Sequence, residues 1–166
     1  MNKRISGWPD GKAGTLLRGD FSSMTRCFHH LGRSGIPYFA PMKYTSFRQI
    51  PVWQESVAFA AEVYTLCEKP KLKCDFRSKD QLKAAVSSIS NNIAEGFEYR
   101  NNKQLIRFLF YAKGSSGEVF NILCILFEAG SITQEEHRIF SEKTLELGKK
   151  IGGFIKYLNE NQRSRS

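Results

Sequence analysis

Residues 79–118 read KDQLKAAVSSISNNIAEGFEYRNNKQLIRFLFYAKGSSGE, and they determine the fold that the sequence predicts. Apolar residues recur through the first half at spacings of four, three, four and four, which place them along one face of a helix. They are Leu82, Val86, Ile89, Ile93 and Phe97. Residues 99–102 form a short polar break, after which helical spacing resumes over residues 105–112. The stretch therefore predicts a helical hairpin.

Two further helices are predicted, one on each side of this hairpin. Pro51 suits the first turn of a helix, where the amide hydrogen that proline lacks would have no partner, and Pro70 is expected to end that helix. The face of this first helix that should be buried comprises Trp53, Val57, Ala60, Ala61, Tyr64 and Cys67. The last helix has its own apolar series of Phe140, Leu147, Ile151, Phe154 and Leu158. Both series have spacings typical of an amphipathic helix.

Sequence signals mark where the helices begin and end. In a capping box, a Ser, Thr or Asn side chain and a Glu or Gln side chain further on satisfy each other's orphaned backbone amides. Three such pairs occur: Ser78 with Gln81, Asn101 with Gln104, and Thr133 with Glu136. The second helix is therefore expected to begin near Lys79. Gly130 is expected to close the third helix, and the fourth is expected to fray within residues 159–166.

Short polar breaks join these four helices, which favours an all-α, up-down-up-down antiparallel four-helix bundle. Residues 42–162 are predicted to form this bundle, and residues 163–166 are predicted to form a polar tail. Several glycines fall inside the last two helices, where each is less favourable than alanine by about 1 kcal/mol. They are Gly114, Gly117, Gly148, Gly152 and Gly153. Close approach of another helix or another subunit is the expected compensation.

Residues 1–41 differ in composition from the rest of the chain. They contain six of the 13 glycines and three of the five prolines, and they carry six Lys or Arg against two Asp. This basic, Gly- and Pro-rich leader shows no sustained helical period, which predicts a disordered tail. Two alternatives stay open: upstream sequence translated ahead of a native start at Met42, or an organellar transit peptide.

The balance of charge favours a polyanionic partner. Lys and Arg number 25 against 16 Asp and Glu, which gives a formal net charge of +9. Nucleic acid is the first candidate, and an anionic membrane surface is the second. The most apolar stretch, residues 105–127, is interrupted by Arg107, Lys113 and Glu118, so no transmembrane helix is predicted. The four cysteines form no CxxC pair, and a cytoplasmic protein with reduced thiols is expected.

Several motifs resemble the family of four-helix-bundle proteins named after the intervening sequences of 23S ribosomal RNA. The resemblance extends over residues 47–158 and lies mainly in Val52-Trp53-Gln54, Asn92-Ile93-Ala94-Glu95-Gly96-Phe97 and Arg107-Phe108-Leu109. It implies a small bundle that assembles into a ring, commonly a homopentamer, with no established catalytic activity and no cofactor. A related branch is similar to the accessory variability determinant of diversity-generating retroelements, a basic pentamer that binds nucleic acid and partners a reverse transcriptase.

Eight cations are the candidate nucleic-acid-binding residues, because phosphate contacts require Lys or Arg on an accessible face. They are Lys79, Lys83, Arg100, Lys103, Arg107, Lys149, Lys150 and Lys156. Residues four positions apart, such as Lys79 and Lys83, share a helix face. The alternative interpretation is an ordinary solvated surface, because Asp80, Glu142 and Glu146 lie among these cations.

A signature of six residues in the hairpin is interpreted as structural: Asn92, Glu95, Gly96, Gly114, Gly117 and Glu118. Asn92 and Glu95 are expected to hydrogen-bond to neighbouring helices, while Gly96 helps to close the second helix. The alternative is a functional site formed by Asn92, Glu95 and Gly96, since Asn92 and Glu95 share a helix face. Glu95 and Glu118 are a further candidate, as a carboxylate pair for acid–base chemistry or metal binding. No Glu-x-x-His element accompanies them in the sequence, so no metal site is predicted there.

Other catalytic and metal-binding arrangements are weak. Cys27, His29 and His30 suggest a metal site, but a tetrahedral site needs further ligands that residues 1–41 do not supply. His137 is expected to be a solvated surface residue. No nucleophile–base pair is recognisable in the sequence, so the chain is predicted not to be an enzyme.

Two functions remain open at the level of sequence. The first is a non-enzymatic, oligomeric accessory protein that binds the backbone of RNA or DNA through basic helix surfaces. The second is a ring-shaped scaffold that docks another protein, such as the reverse transcriptase of a retroelement. The sequence contains no recognisable motif for reading bases, so charge and shape should dominate in the first case.

Overall fold

Helices account for all the regular secondary structure of residues 44–163, the range that the computed structural model describes. A 3₁₀ turn at Phe47–Gln49 precedes α1 (Pro51–Leu66), α2 (Pro70–Lys73), α3 (Phe76–Glu98), α4 (Asn102–Glu128) and α5 (Gln134–Arg163). Because α2 is a single turn, four main helices remain in this range. The predicted leader, residues 1–41, lies outside the described range, as do residues 164–166 of the predicted tail.

The four main helices pack antiparallel around one apolar core. α3 packs against α4, α4 packs against α5, and α1 packs against both α3 and α5, so each helix has two main neighbours. The apolar stripe predicted for the second helix forms the centre of this core. Its side chains are all fully buried: Leu82, Val86, Ile89, Ile93 and Phe97. The predicted all-α antiparallel bundle is therefore confirmed for residues 44–163.

The buried face of α1 differs from the prediction. The buried residues of this helix are Val52, Ser56, Phe59, Val63 and Leu66. Of the six residues predicted for this face, Cys67 is buried, Trp53 and Ala60 are half-buried, and Val57, Ala61 and Tyr64 are exposed. Apolar residues surround most of α1, so helical spacing alone fits two different faces. Ser56 interrupts the apolar pattern of the true face, and its hydroxyl is satisfied by donating to the carbonyl oxygen of Trp53 (2.7 Å).

The start of α3 also differs from the prediction, because the helix begins at Phe76 and not near Lys79. Asp75 is the N-cap, since its Oδ1 atom accepts a hydrogen bond from the backbone N–H of Ser78 (3.1 Å). A charged acceptor is favoured at the positive end of a helix, so Asp75 takes the capping role predicted for Ser78. Pro70 begins α2 and does not end α1.

The remaining helix boundaries follow the sequence signals more closely. Asn101 caps α4 by accepting a hydrogen bond from the N–H of Lys103 (2.9 Å). Thr133 and Glu136 form the reciprocal capping box, with bonds of 2.7 Å and 3.2 Å. Gly130 adopts a φ of +68°, the left-handed conformation that closes α4. α5 continues through residue 163, so residues 159–163, where fraying is predicted, are helical.

Gly96 lets α3 and α4 pack at close range. A Cβ atom at this position would lie 2.6 Å from Cβ of Phe108 and 3.2 Å from Cα of Leu105. A side chain of any size would push the two helices apart, so the contact requires glycine. Because α3 continues to Glu98, the prediction that Gly96 helps to close this helix is wrong.

We expect Gly96→Ala to lower the free energy of unfolding by about 1–3 kcal/mol, because the added methyl group overpacks the contact with Phe108. Urea denaturation followed by circular dichroism measures the change. Gly153→Ala is the matched control, since no other atom of residues 44–163 lies within 4 Å of a Cβ at that exposed position. It should raise stability by about 1 kcal/mol through helix propensity. A Gly96→Ala chain as stable as this control would contradict the close contact.

The hydrogen-bonded cap at Asp75 predicts that the stability of the folded chain depends on pH. Hydrogen bonds from Ser78 lower the pKa of the Asp75 carboxyl in the folded chain. Its contribution to stability is therefore present above the ordinary aspartate pKa and is lost as the pH falls through the lowered value. Asp75→Asn keeps an acceptor but cannot titrate, so its thermal midpoint should fall less than that of the parent chain on acidification.

A second comparison tests which residue is the cap. At neutral pH, Asp75→Ala should melt at a lower temperature than Ser78→Ala, because only the first change removes the acceptor for the backbone N–H. The opposite order of melting temperatures would restore Ser78 as the cap of α3.

Candidate nucleic-acid interface

The eight candidate cations are spread over α3, α4, α5 and the turn between α3 and α4. Lys79 and Lys83 lie near the start of α3, whereas Arg100 follows the end of that helix. At the usual helical rise, Lys79 and Arg100 are about 30 Å apart along the axis of α3. Lys103 and Arg107 lie on the first turns of α4. The remaining three are on α5: Lys149, Lys150 and Lys156. The fold therefore does not bring the eight cations into one continuous row.

Three of the eight cations are engaged in ion pairs: Lys83 with Glu68 (3.1 Å), Lys150 with Glu55 (2.7 Å) and Glu146 (3.0 Å), and Lys156 with Glu160 (3.8 Å). The hydrogen bond between Lys83 and Glu68 lowers the pKa of the carboxyl and raises the pKa of the ammonium group. Hydrogen bonds to its two carboxylates raise the pKa of Lys150 in the same way. A phosphate would have to compete with these carboxylates, so the three lysines are weaker candidates.

Five cations have no carboxylate within ion-pair distance in the described part of the chain: Lys79, Arg100, Lys103, Arg107 and Lys149. Arg100 is nevertheless held by local contacts. Its φ is +51°, its guanidinium lies over the Phe97 ring (4.6 Å to the centroid), and Nη1 donates to the carbonyl oxygen of Thr45 (3.4 Å). The Arg100 guanidinium therefore stabilises the local structure, and its charge is not neutralised by a carboxylate within residues 44–163.

Lys103 and Arg107 are exposed on successive turns of α4, and exposed Tyr111 follows one turn later. The Nε–H of Arg107 donates to the hydroxyl oxygen of Tyr111 (2.9 Å). This bond uses only one of the guanidinium donors and leaves the others available to an anion. Two adjacent cations thus face solvent without a carboxylate partner among residues 44–163.

Tyr99, Phe108 and Tyr111 form a set of contacting rings beside these cations, which we call the aromatic cluster. Tyr99 stacks on Phe108, with centroids 5.3 Å apart and planes at 22°. Phe108 meets Tyr111 edge to face, at 5.6 Å and 87°. Phe108 and Tyr111 are three residues apart on α4, so helical spacing identifies them as neighbours. Tyr99 follows the end of α3 and reaches Phe108 across the turn between the two helices, which helical spacing does not predict. The cluster was therefore not predictable from helical periodicity alone.

The polar signature residues are placed differently from the prediction. Asn92 donates to the carbonyl oxygen (2.7 Å) and Oγ (3.0 Å) of Ser88 in its own helix, and not to a neighbouring helix. The link to α4 runs instead between the hydroxyls of Ser88 and Ser115, which are 3.0 Å apart. Glu95 and Glu118 are exposed, and neither carboxylate makes a hydrogen bond or ion pair within the described range. The expected bond from Glu95 to a neighbouring helix is therefore absent there.

The glycines of the last two helices differ in their surroundings. A Cβ atom at Gly152 would lie 3.7 Å from Nζ of Lys113, an ordinary van der Waals distance. A Cβ atom at Gly148 would lie 3.0 Å from Oγ of Ser116, so α5 approaches α4 closely at this point, as predicted. Among the described residues, no other atom lies within 4 Å of a Cβ position at Gly114, Gly117 or Gly153. Within residues 44–163, the predicted close approach therefore does not occur at these three glycines.

The prediction of a solvated His137 is wrong. Its ring stacks on Phe127, with centroids 4.8 Å apart, and its Nε2 atom lies 3.5 Å from Sγ of Cys124. This cysteine–histidine contact joins α4 to α5 across 13 residues of sequence, which explains why no local motif predicts it. Within residues 44–163, no third side chain hydrogen-bonds to the imidazole.

No three His, Cys, Asp or Glu side chains converge as a metal site in the part of the chain that the structure describes. The weak metal motif of Cys27, His29 and His30 lies outside that part. Among the described helices, none is both long enough and apolar enough to cross a lipid bilayer.

The molecule is a small all-α bundle protein, because four long antiparallel helices make up its core. Exposed cations and aromatic rings lie at the end of its α3–α4 hairpin. The chain matches the family of 23S rRNA-intervening sequence proteins over residues 48–153. Because the match covers more than half of the chain, the chain belongs to this family. The resemblance of its motifs is thereby confirmed.

A solved structure supports the same fold. The chain is similar to a protein of unknown function from the S23 ribosomal protein family of Bacteroides thetaiotaomicron VPI-5482, with a TM-score of 0.58. The two chains are 23% identical, and the similarity covers 63% of this chain and 98% of the other. At this level of identity the likeness bears on the fold alone. No curated protein matches the chain.

Proposed function

We propose that this chain is a non-enzymatic, oligomeric accessory protein that binds the phosphate backbone of RNA or DNA. The observation that supports this function is the pair of exposed cations Lys103 and Arg107, which have no carboxylate partner in residues 44–163. A phosphate bound there breaks no ion pair and releases counterions from the nucleic acid. The net charge of +9 attracts a polyanion to the chain as a whole.

The proposal includes assembly of several copies into a ring, commonly a pentamer in the family. The exposed face of α4 supplies a surface for this contact. Phe110 and Ile125 are 56% and 55% exposed, and Gly114 and Gly117 between them are open to solvent. These positions follow helical spacing and lie on one side of α4, where glycines let a second helix approach closely. Several copies would bring several cation pairs to one nucleic acid and raise its affinity.

A second candidate function is a ring-shaped scaffold that docks another protein, such as the reverse transcriptase of a retroelement. A groove of about 440 Å³ between α4 and α5 favours it. The groove is lined by Gly117, Gly148 and Gly152, and by Leu145, which is 50% exposed. An amphipathic helix of a partner fits a groove of this kind, with little dependence on salt.

Binding through phosphates predicts an affinity that falls steeply as salt rises. Fluorescence anisotropy of a labelled mixed-sequence RNA, titrated with the full chain between about 50 and 200 mM salt, gives the slope of log affinity against log salt. Exchanging both Lys103 and Arg107 for Gln should make this slope shallower, by about 0.7 for each phosphate of a single strand that the variant no longer neutralises.

The matched control exchanges Lys150 and Lys156 for Gln, because it removes the same formal charge from lysines that are already ion-paired. This control should weaken binding less than the exchange at Lys103 and Arg107. An equal weakening by both exchanges would show that net charge governs affinity and would refute the assigned site. A parent chain that binds no RNA even at the lowest salt would refute nucleic-acid binding itself.

Light scattering tests the proposed assembly. The parent chain should form a particle several times the chain mass of 19.0 kDa. Gly117→Leu should reduce the particle mass, because the new side chain occupies space that a neighbouring helix needs. Gly153→Leu adds the same volume at another open glycine and should leave the mass unchanged. An unchanged mass for Gly117→Leu would exclude this face of α4 as the contact, and a monomeric parent chain would exclude the ring.

A further inference from the structure

The aromatic cluster presents ring surface to solvent at the end of the α3–α4 hairpin. Tyr99 is 55% exposed and Tyr111 is 47% exposed. Folded chains usually bury most of an aromatic ring, since it carries a large apolar area. Exposed rings that lie together in one place are therefore typical of a binding surface.

The rings of the cluster are held in place before any ligand binds. Phe108 is anchored where α4 packs against Gly96, and it contacts Tyr99 on one side and Tyr111 on the other. The hydrogen bond from Arg107 restrains the Tyr111 hydroxyl (2.9 Å). A ligand that stacks on these rings would therefore order few side chains on binding, which keeps the entropic cost small.

Positive charge accompanies the exposed rings. Lys103, Arg107 and Tyr111 follow one another at intervals of four residues on the exposed side of α4, which corresponds to about 6 Å along the axis for each step. A ligand that combines flat rings with negatively charged groups at short intervals complements this arrangement. A single nucleic-acid strand repeats such a combination in every nucleotide.

A duplex does not offer the same combination. Its bases already stack on one another, and their faces are covered except at the ends. The bases of a single strand can turn outward and stack on Tyr or Phe rings while the phosphates contact Lys and Arg. The ring faces of the cluster thus add a contact that only unpaired bases can make.

We propose that the aromatic cluster stacks unpaired bases of a single-stranded nucleic acid whose phosphates contact Lys103 and Arg107. This inference rests on the proposed function, and it narrows the ligand from any nucleic-acid backbone to single strands. Arg107 links the two parts of the site, because it bonds to Tyr111 with one donor and keeps others for phosphate.

Two probes separate base stacking from phosphate binding. One is an oligothymidylate of about a dozen nucleotides, within the span of known single-strand sites. The other is an abasic strand of the same length, which keeps the phosphates and lacks the bases. Anisotropy titrations at low salt should show that the full chain binds the oligothymidylate more tightly, by about tenfold for each stacked base.

Substitutions assign this difference to the cluster. Tyr99→Ala should lower the affinity for the oligothymidylate towards that for the abasic strand, and should leave binding of the abasic strand and of a duplex unchanged. Tyr111→Ala should also lower the affinity for the oligothymidylate, and it is compared with Tyr111→Phe, because both changes remove the hydroxyl that bonds to Arg107 (2.9 Å) and only the first removes the ring. Tyr111→Phe should keep the base-dependent affinity, because it removes the hydroxyl and retains the ring. Tyr157→Ala, at a ring of α5 that is 48% exposed, is the control and should change nothing.

The outcomes distinguish this inference from the function on which it rests. If neither strand binds, the proposed function fails. If both strands bind equally, or if the alanine exchanges weaken both equally in chains that circular dichroism shows to be folded, only the stacking inference fails. A decrease of particle mass in Tyr111→Ala would assign the cluster to a contact between copies and would also overturn the inference.

Discussion

Close packing of α3 on α4 at Gly96 is the contact on which the candidate site at the hairpin end of the molecule depends. Because residue 96 has no side chain, Cβ of Phe108 can lie 2.6 Å from the position that a Cβ atom of residue 96 would take. That contact fixes Phe108, and Phe108 in turn orients the rings of Tyr99 and Tyr111. The same packing turns the opposite side of α4 to solvent. The exposed cations and rings are therefore a consequence of how tightly the inner faces of the hairpin pack.

Helical periodicity predicted the parts of this fold in which the apolar pattern is narrow. The stripe of α3 is flanked by polar residues, so only one face could be buried, and all its members are in the core. α1 is apolar around most of its surface, and there the prediction placed Val57 and Tyr64 inside when they lie outside. The helix caps were likewise predicted correctly only where the sequence offers no stronger candidate residue. Thr133 and Glu136 had no competitor, whereas Ser78 was preceded by Asp75, a stronger acceptor at a helix start.

The candidate site was less predictable, because its character depends on partners that are distant in sequence. Residue type identifies Lys83 as a cation, but its carboxylate partner, Glu68, is 15 residues away along the chain. Lys150 has one local partner, Glu146, and a second, Glu55, that is 95 residues away. Only the fold shows that Lys83 is paired with Glu68 while Lys103 and Arg107 have no carboxylate partner in residues 44–163. The contact of Cys124 with His137 likewise requires the register of α4 against α5. Sequence patterns therefore identify which residues can act, and tertiary packing decides which of them are free to do so.

The exposed side of α4 carries two kinds of surface next to each other. One runs through Lys103, Arg107 and Tyr111, and the other runs through Phe110, Gly114 and Gly117. Lys103, Arg107, Phe110, Gly114 and Gly117 follow one another at spacings of four and three, so both surfaces lie along one face of α4 and are separated along the helix axis. Arg107 and Gly114 are about 10 Å apart along this axis, so a neighbouring copy that packs on the glycines leaves the cations uncovered only where its contact ends before Arg107. In a ring built on that contact, each copy would hold its aromatic cluster in the same position relative to the next one. A site that binds one or two nucleotides weakly would then be repeated at fixed intervals, and a strand long enough to reach several copies would bind far more tightly than any single site allows.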